Sequence, residues 1–346
     1  MKRVVGLDIV RTFAIALVIL IHAMLIMGIG AREMNSVAAF GEVMLFRITW
    51  ICVPLFLMLT GYLNHKKEAS KNYFLSVGKT ALIFLFYSIL VIIFRATYQN
   101  EDISLWGGIK MILGNTTQDR AWYVNMYFGL VLLVPFINVA WKAFNKKQKM
   151  IIIVVLYLLT AVSKYIFVIS GKIMDTPIVF ISSYWWGLYF FVYYFLGAFI
   201  REHPIKIKKK YVLASLVGVL VLHTAVFFIL GEGGRYGDSF LHQRFWYDNP
   251  VLFIETVLFF LLFYDVQLKN KTITTASREI SLSAFEMYLF SRITDTICWD
   301  YFLKIRPEHP YLWIVFLSWI SSFALAFIFT FIRRKATRIV MSRFSQ

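Results

Sequence analysis

The stretch GLDIVRTFAIALVILIHAMLIMGIG, Gly6 to Gly30, decides the fold class. It is long and apolar enough to cross a bilayer as one helix. It also keeps Asp8, Arg11 and His22, which a plain anchor would not. Ionisable side chains inside a span are costly, and they face protein or water rather than lipid. From Arg11 to His22 is close to three helical turns, so the two share one face, ~16 Å apart along the axis. Asp8, one turn before Arg11, is placed to pair with it. A histidine and an arginine on one face of a buried span read as a site.

Working outward, the rest of the 346 residues repeats the pattern. The chain is 60% hydrophobic and 16% charged, the balance of a polytopic membrane protein. About ten stretches have crossing length: 7–29, 41–63, 75–95, 121–141, 150–170, 182–200, 211–230, 250–267, 282–303 and 310–332. This predicts an all-α integral membrane protein, with residues 1–346 forming one membrane domain. The formal charge of +17 would suggest nucleic acid in a soluble chain. Here the basic residues fall in alternate loops and point instead to topology and anionic membrane lipid. One set of loops holds Lys66, Lys67, Lys71, Lys146, Lys147, Lys149, Lys206, Lys208, Lys209 and Lys210, and the tail holds Arg333, Arg334 and Lys335. The other loops are sparsely basic, so both termini are expected in the cytoplasm of a plasma-membrane protein. Cys52 and Cys298 lie in apolar segments, and no metal-ligand spacing exists. The first segment, long and interrupted by Arg11, does not fit a signal peptide.

The second span, FGEVMLFRITWICVPLFLMLTGYLN, carries Arg47 in its outer third and Pro54 seven residues on. Pro54 frees the Trp50 carbonyl and predicts a kink. A short hairpin after the first span is expected to bring Arg47 to the depth of His22. Against this stands snorkelling of Arg47 to the outer headgroups. Other intramembrane charges have simpler expected fates. Arg292 and Asp295 neutralise one another, Glu255, Asp265, Arg95 and Lys164 snorkel, Glu286 is solvated near an inner end, and His223 packs with one hydrogen bond. Most tryptophans fall toward the outer side, as a belt or as the wall of a sugar-binding cavity. The polar loop GEGGRYGDSFLHQRFWYDNP, ending near Trp246, has the groups a sugar site needs.

Arg11, ten residues, then His22 resembles the motif of the membrane acyltransferase-3 family. Arg47 through Val53-Pro54-Leu55-Phe56 to Thr60-Gly61-Tyr62-Leu63 is similar to the family's second-span pattern, with Thr60 where serine is usual. Trp122-Tyr123-Val124-Asn125-Met126-Tyr127, Tyr193–Ile200 and Ser281–Leu289 are similar to later segments of the family. The chain departs from it at the start of the fourth span, where Arg120 and Asn125 stand in place of a second acid or base.

The resemblance implies O-acetylation of a cell-surface glycan, or its lipid-linked precursor, in a bacterial envelope. Acetyl-CoA is the implied donor, and no metal is implied. Arg11, steadied by Asp8, then suits a CoA phosphate near the inner surface, with Tyr62 nearby. His22 takes the role of general base, or carries a transient acetyl group, and Arg47 steadies the oxyanion. The acceptor enters near Arg120, Trp122, Tyr123, Asn125 and Trp246. An exporter of a glycan or small acid is the second reading, since buried charges and ten spans suit that class too.

Overall fold

The computed structural model describes residues 3–29, 36–114, 116–117, 122–174, 176–230, 247–305 and 312–344. Among them there is no strand. The helices are α1 (Val5–Ile26), α2 (Val37–Thr49), α3 (Cys52–Asn64), α4 (Lys71–Tyr98), α5 (Leu105–Leu113), α6 (Trp122–Ala143), α7 (Lys146–Tyr157), α8 (Ser163–Ile173), α9 (Tyr189–Glu202), α10 (Lys209–Leu230), α11 (Pro250–Phe263), α12 (Lys271–Ile305) and α13 (Leu312–Phe344). Among the described residues seven helical stretches are long and apolar enough to cross a membrane, and α11 is apolar but shorter. The protein is therefore an all-α, multi-pass membrane protein. α12 spans 35 residues but is studded with charge, and α9 has only 14 residues.

The helix starts follow local chemistry. Ser36, Ser70 and Asn249 cap α2, α4 and α11 by accepting backbone N–H bonds. Asn145 and Gln148 form a reciprocal capping box at α7. The kink predicted from Pro54 is present: α2 ends at Thr49, α3 begins at Cys52, and Trp50 and Ile51 donate to the carbonyls of Arg47 and Ile48. A five-residue π-turn, Leu158–Val162, joins α7 to α8.

The chain divides into two compact units, Met1–His65 with Trp141–Arg278, and Lys66–Ala140 with Glu279–Gln346. In the first unit, α3, α9 and α11 run parallel. Trp50 and Tyr189 meet Tyr247 at one end, while Tyr62 meets Arg201 and Tyr264 at the other. α1 runs against them, with Gly6 on the Phe263 carbonyl and Phe13 on Phe259. α10 is also antiparallel to α11, pairing Lys209 with Asp265 and His223 with Glu255. In the second unit, α13 lies antiparallel to α12, Arg333 meeting Glu286 and Ser322 meeting Asp295. α6 returns along α4, with Tyr73 bonded to the Val131 carbonyl and Phe84 against Phe128.

The parallel set is held by backbone contact. Gly61 of α3 lies against the Tyr194 carbonyl, and Gly197 of α9 against the Met58 carbonyl. Within a membrane, helices associate by close packing rather than hydrophobic exclusion, and small residues permit the closest approach. Two of the segments similar to family patterns, Thr60–Leu63 and Tyr193–Ile200, thus meet at one crossing.

Candidate functional site

α1 is unbroken from Val5 to Ile26, so Arg11 and His22 do sit three turns apart on it, both half-buried. The partner the structure gives Asp8 is Arg3, through two bonds of 2.6 and 2.7 Å. Asp8 is buried within the first turn of α1, where a carboxylate also complements the helix dipole. Arg3 lies outside the apolar run, which is why pattern alone did not single it out.

The kink at Trp50–Ile51 delivers Arg47 to a charged centre. Arg47 is 1% exposed; its Nη2 donates to Glu255 Oε1 at 2.8 Å and contacts His223 Nδ1. His223 Nδ1 lies 3.2 Å from the same carboxylate oxygen. Glu255 is 0% exposed. Snorkelling of Arg47 and of Glu255 is thereby overturned: α11 starts at Pro250, capped by Asn249, which sets Glu255 one and a half turns inside the helix among protein groups. His223 has two charged partners rather than the single bond expected of a packed histidine. A buried charge is tolerated when paired and hydrogen-bonded, and here α2, α10 and α11 each contribute one member of the set.

At the opposite end of the parallel helices lies a cationic and aromatic group. Arg201 donates to the Tyr62 hydroxyl at 3.2 Å and stands 5.1 Å from the Tyr62 ring. Lys209 lies over Tyr264, whose ring is 6.2 Å from that of Tyr62. Lys209 also pairs with Asp265, both half-exposed, as expected for a charge at a helix end. In the sequence Lys209 reads only as a topology signal.

Trp122, Tyr123 and Asn125 open α6 in the second unit, whereas Arg11, His22, Arg47, Asp8 and Tyr62 belong to the first. Tyr123 is buried, edge-on to Tyr288 at 5.7 Å, while Trp122 and Asn125 are exposed. Arg120 and Trp246 lie outside the described residues.

Three further charges depart from expectation. Lys164 does not snorkel; it bonds both oxygens of the buried Asp248 at 2.9 and 2.8 Å. Arg95 binds Glu101 and the carbonyls of Thr116 and Thr117. Glu286 is buried rather than solvated, taking Arg333 at 2.5 Å on each oxygen and the Tyr87 hydroxyl at 2.8 Å. Apart from these, Asp295 accepts from Ser322, and Arg292 donates to Thr296 one turn on in the same helix. For Lys164, Arg95 and Glu286 a neighbouring helix or loop supplies a partner that linear sequence does not show. Cys52 and Cys298 are buried free thiols.

A family model described as an acyltransferase domain, of the acyltransferase-3 type, matches residues 4–332. Comparison with curated proteins and with solved structures finds no match.

Proposed function

The chain belongs to the acyltransferase-3 family of membrane proteins, and from that premise we propose that it moves an acetyl group from cytosolic acetyl-CoA to a hydroxyl of an extracytoplasmic glycan or its lipid-linked precursor. The observation that carries this reading is the unbroken α1, with Arg11 and His22 half-buried on one face. Their separation of ~16 Å along the axis suits an extended pantetheine arm, with its phosphates at Arg11 and its thioester at His22. Arg201 and Tyr62 supply further cationic and stacking groups for the nucleotide.

In the proposed reaction a His22 ring nitrogen takes the proton of the acceptor O–H. The oxygen attacks the thioester carbonyl carbon, a C–O bond forms, the C–S bond breaks, and the CoA thiolate leaves with the proton from His22. Arg47 steadies charge on the carbonyl oxygen in the intermediate. For acceptor binding, the residues proposed from the sequence are Trp122, Tyr123, Asn125, Arg120 and Trp246.

We also infer ten crossings with both termini cytoplasmic, in a bacterial plasma membrane. Parallel α3 and α9 require an odd number of crossings between them, supplied by α4, α6 and α7–α8. Parallel α9 and α11 require one, supplied by α10. The basic Arg201 and Lys209 end is the cytoplasmic one by charge bias.

Binding of acetyl-CoA tests this reading against the exporter. A thermal upshift of the purified protein with acetyl-CoA is expected from mass action on the folded state. No shift at millimolar acetyl-CoA would favour an exporter, which has no use for the thioester.

A further inference from the structure

The Arg47–His223–Glu255 centre has one feature that packing does not explain. Glu255 is fully buried, and its Oε2 has no hydrogen-bond partner among the described residues. Nearby hydroxyls are committed elsewhere. Thr49, Thr224 and Thr256 donate to the carbonyls of Phe46, Leu220 and Leu252 on their own helices. Tyr193 donates to the Tyr247 carbonyl. Oε1, by contrast, already receives Arg47. A carboxylate oxygen left dry and unbonded costs stability, and an apolar pair of similar volume would cost less. Retention of three ionisable groups on three helices therefore calls for a use other than holding those helices together.

We propose that Glu255 Oε2 receives an O–H group of the acylation acceptor, so that the centre is the polar end of the acceptor subsite. This rests on the acyltransfer reading above. The ligand chemistry is fixed by the groups: a carboxylate lone pair takes a neutral O–H donor and repels an anion. Arg47 offsets the carboxylate charge and holds its plane through Oε1. A hydroxyl-rich ring fits this requirement. A resident water has the same chemistry and is the alternative that the test separates.

The experiment uses the full chain in nanodiscs, acetyl-CoA, and de-O-acetylated envelope glycan at graded concentration, following free CoA. Glu255→Gln keeps the side-chain volume and replaces the carboxylate oxygen by an amide. It is expected to raise the half-saturating glycan concentration about tenfold, the worth of one hydrogen bond to a charged group, while the half-saturating acetyl-CoA concentration stays within about twofold. The double variant Arg47→Met with Glu255→Met removes both charges and guards against misfolding as the cause. It is expected to melt at or above the wild-type temperature and still to need a raised glycan concentration to reach half of its own maximal rate, that maximum being lowered separately by the loss of Arg47. A double variant that melts normally and saturates with glycan like the wild type would overturn the proposal, leaving the centre structural or water-filled. Failure of the acyltransfer reading shows separately, as wild-type protein that releases no CoA with glycan.

Discussion

Gly61 on α3 and Gly197 on α9 occupy equivalent places in a parallel crossing, each set against the carbonyl three residues before the other. A Cβ would stand 1.8 Å from the Tyr194 oxygen at Gly61 and 2.0 Å from the Met58 oxygen at Gly197. Neither obstacle is a flexible side chain. Gly61→Ala and Gly197→Ala are each expected to destabilise the fold by about 3 kcal/mol, the upper range for overpacking. Detergent thermal melts followed by size exclusion check this. Wild-type melting of either variant would mean the helices do not approach as described.

Arg201 reaches the Tyr62 hydroxyl and ring from the next helix of the parallel set. If this end holds the donor nucleotide, Arg201→Gln should raise KM for acetyl-CoA about tenfold, with kcat little changed. That pattern marks a group contributing equally in ground and transition states. A fall in kcat at unchanged KM would remove Arg201 from donor binding.

Within the second unit, Glu286 joins three helices by holding Arg333 of α13 and Tyr87 of α4. Tyr87→Phe deletes one hydrogen bond to a charged acceptor and is expected to cost about 2 kcal/mol. Arg333→Met strands a buried carboxylate and should cost more, about 3 kcal/mol. Unfolding in graded denaturing detergent ranks the two, and the reverse order would contradict the clamp.

Glu101 follows α4, and its hydrogen bond from Arg95 holds the carboxyl below its usual range. A depressed folded pKa means the contribution is present above the unfolded value near 4.5 and is lost as pH falls below it. Hydrogen exchange over residues 99–117 is therefore expected to quicken as pH drops from 5 to 3, beyond the intrinsic change. Glu101→Gln should remove the excess.

The helical class was readable because apolar runs of crossing length leave little choice of fold. The kink before Pro54 was readable for the same local reason. What sequence could not supply was partnership across helices. Glu255 and His223 stood out as ionisable groups in apolar helices, but their distance in sequence from Arg47 concealed the shared centre. Lys164 and Asp248 are 84 positions apart, so snorkelling was the simpler reading of each alone. Arg3 was hidden differently, by lying just before the apolar run that drew attention to Asp8. Intramembrane charge marks a residue as constrained, and only the packing says by what.

Free CoA released from acetyl-CoA by the purified protein in nanodiscs, with and without envelope glycan, tests the central claim most directly. Wild type should release CoA in a glycan-dependent manner, and His22→Ala should lose at least a hundredfold of that rate, the usual order for a missing general base. Glycan-dependent release by folded His22→Ala at the wild-type rate would contradict the account.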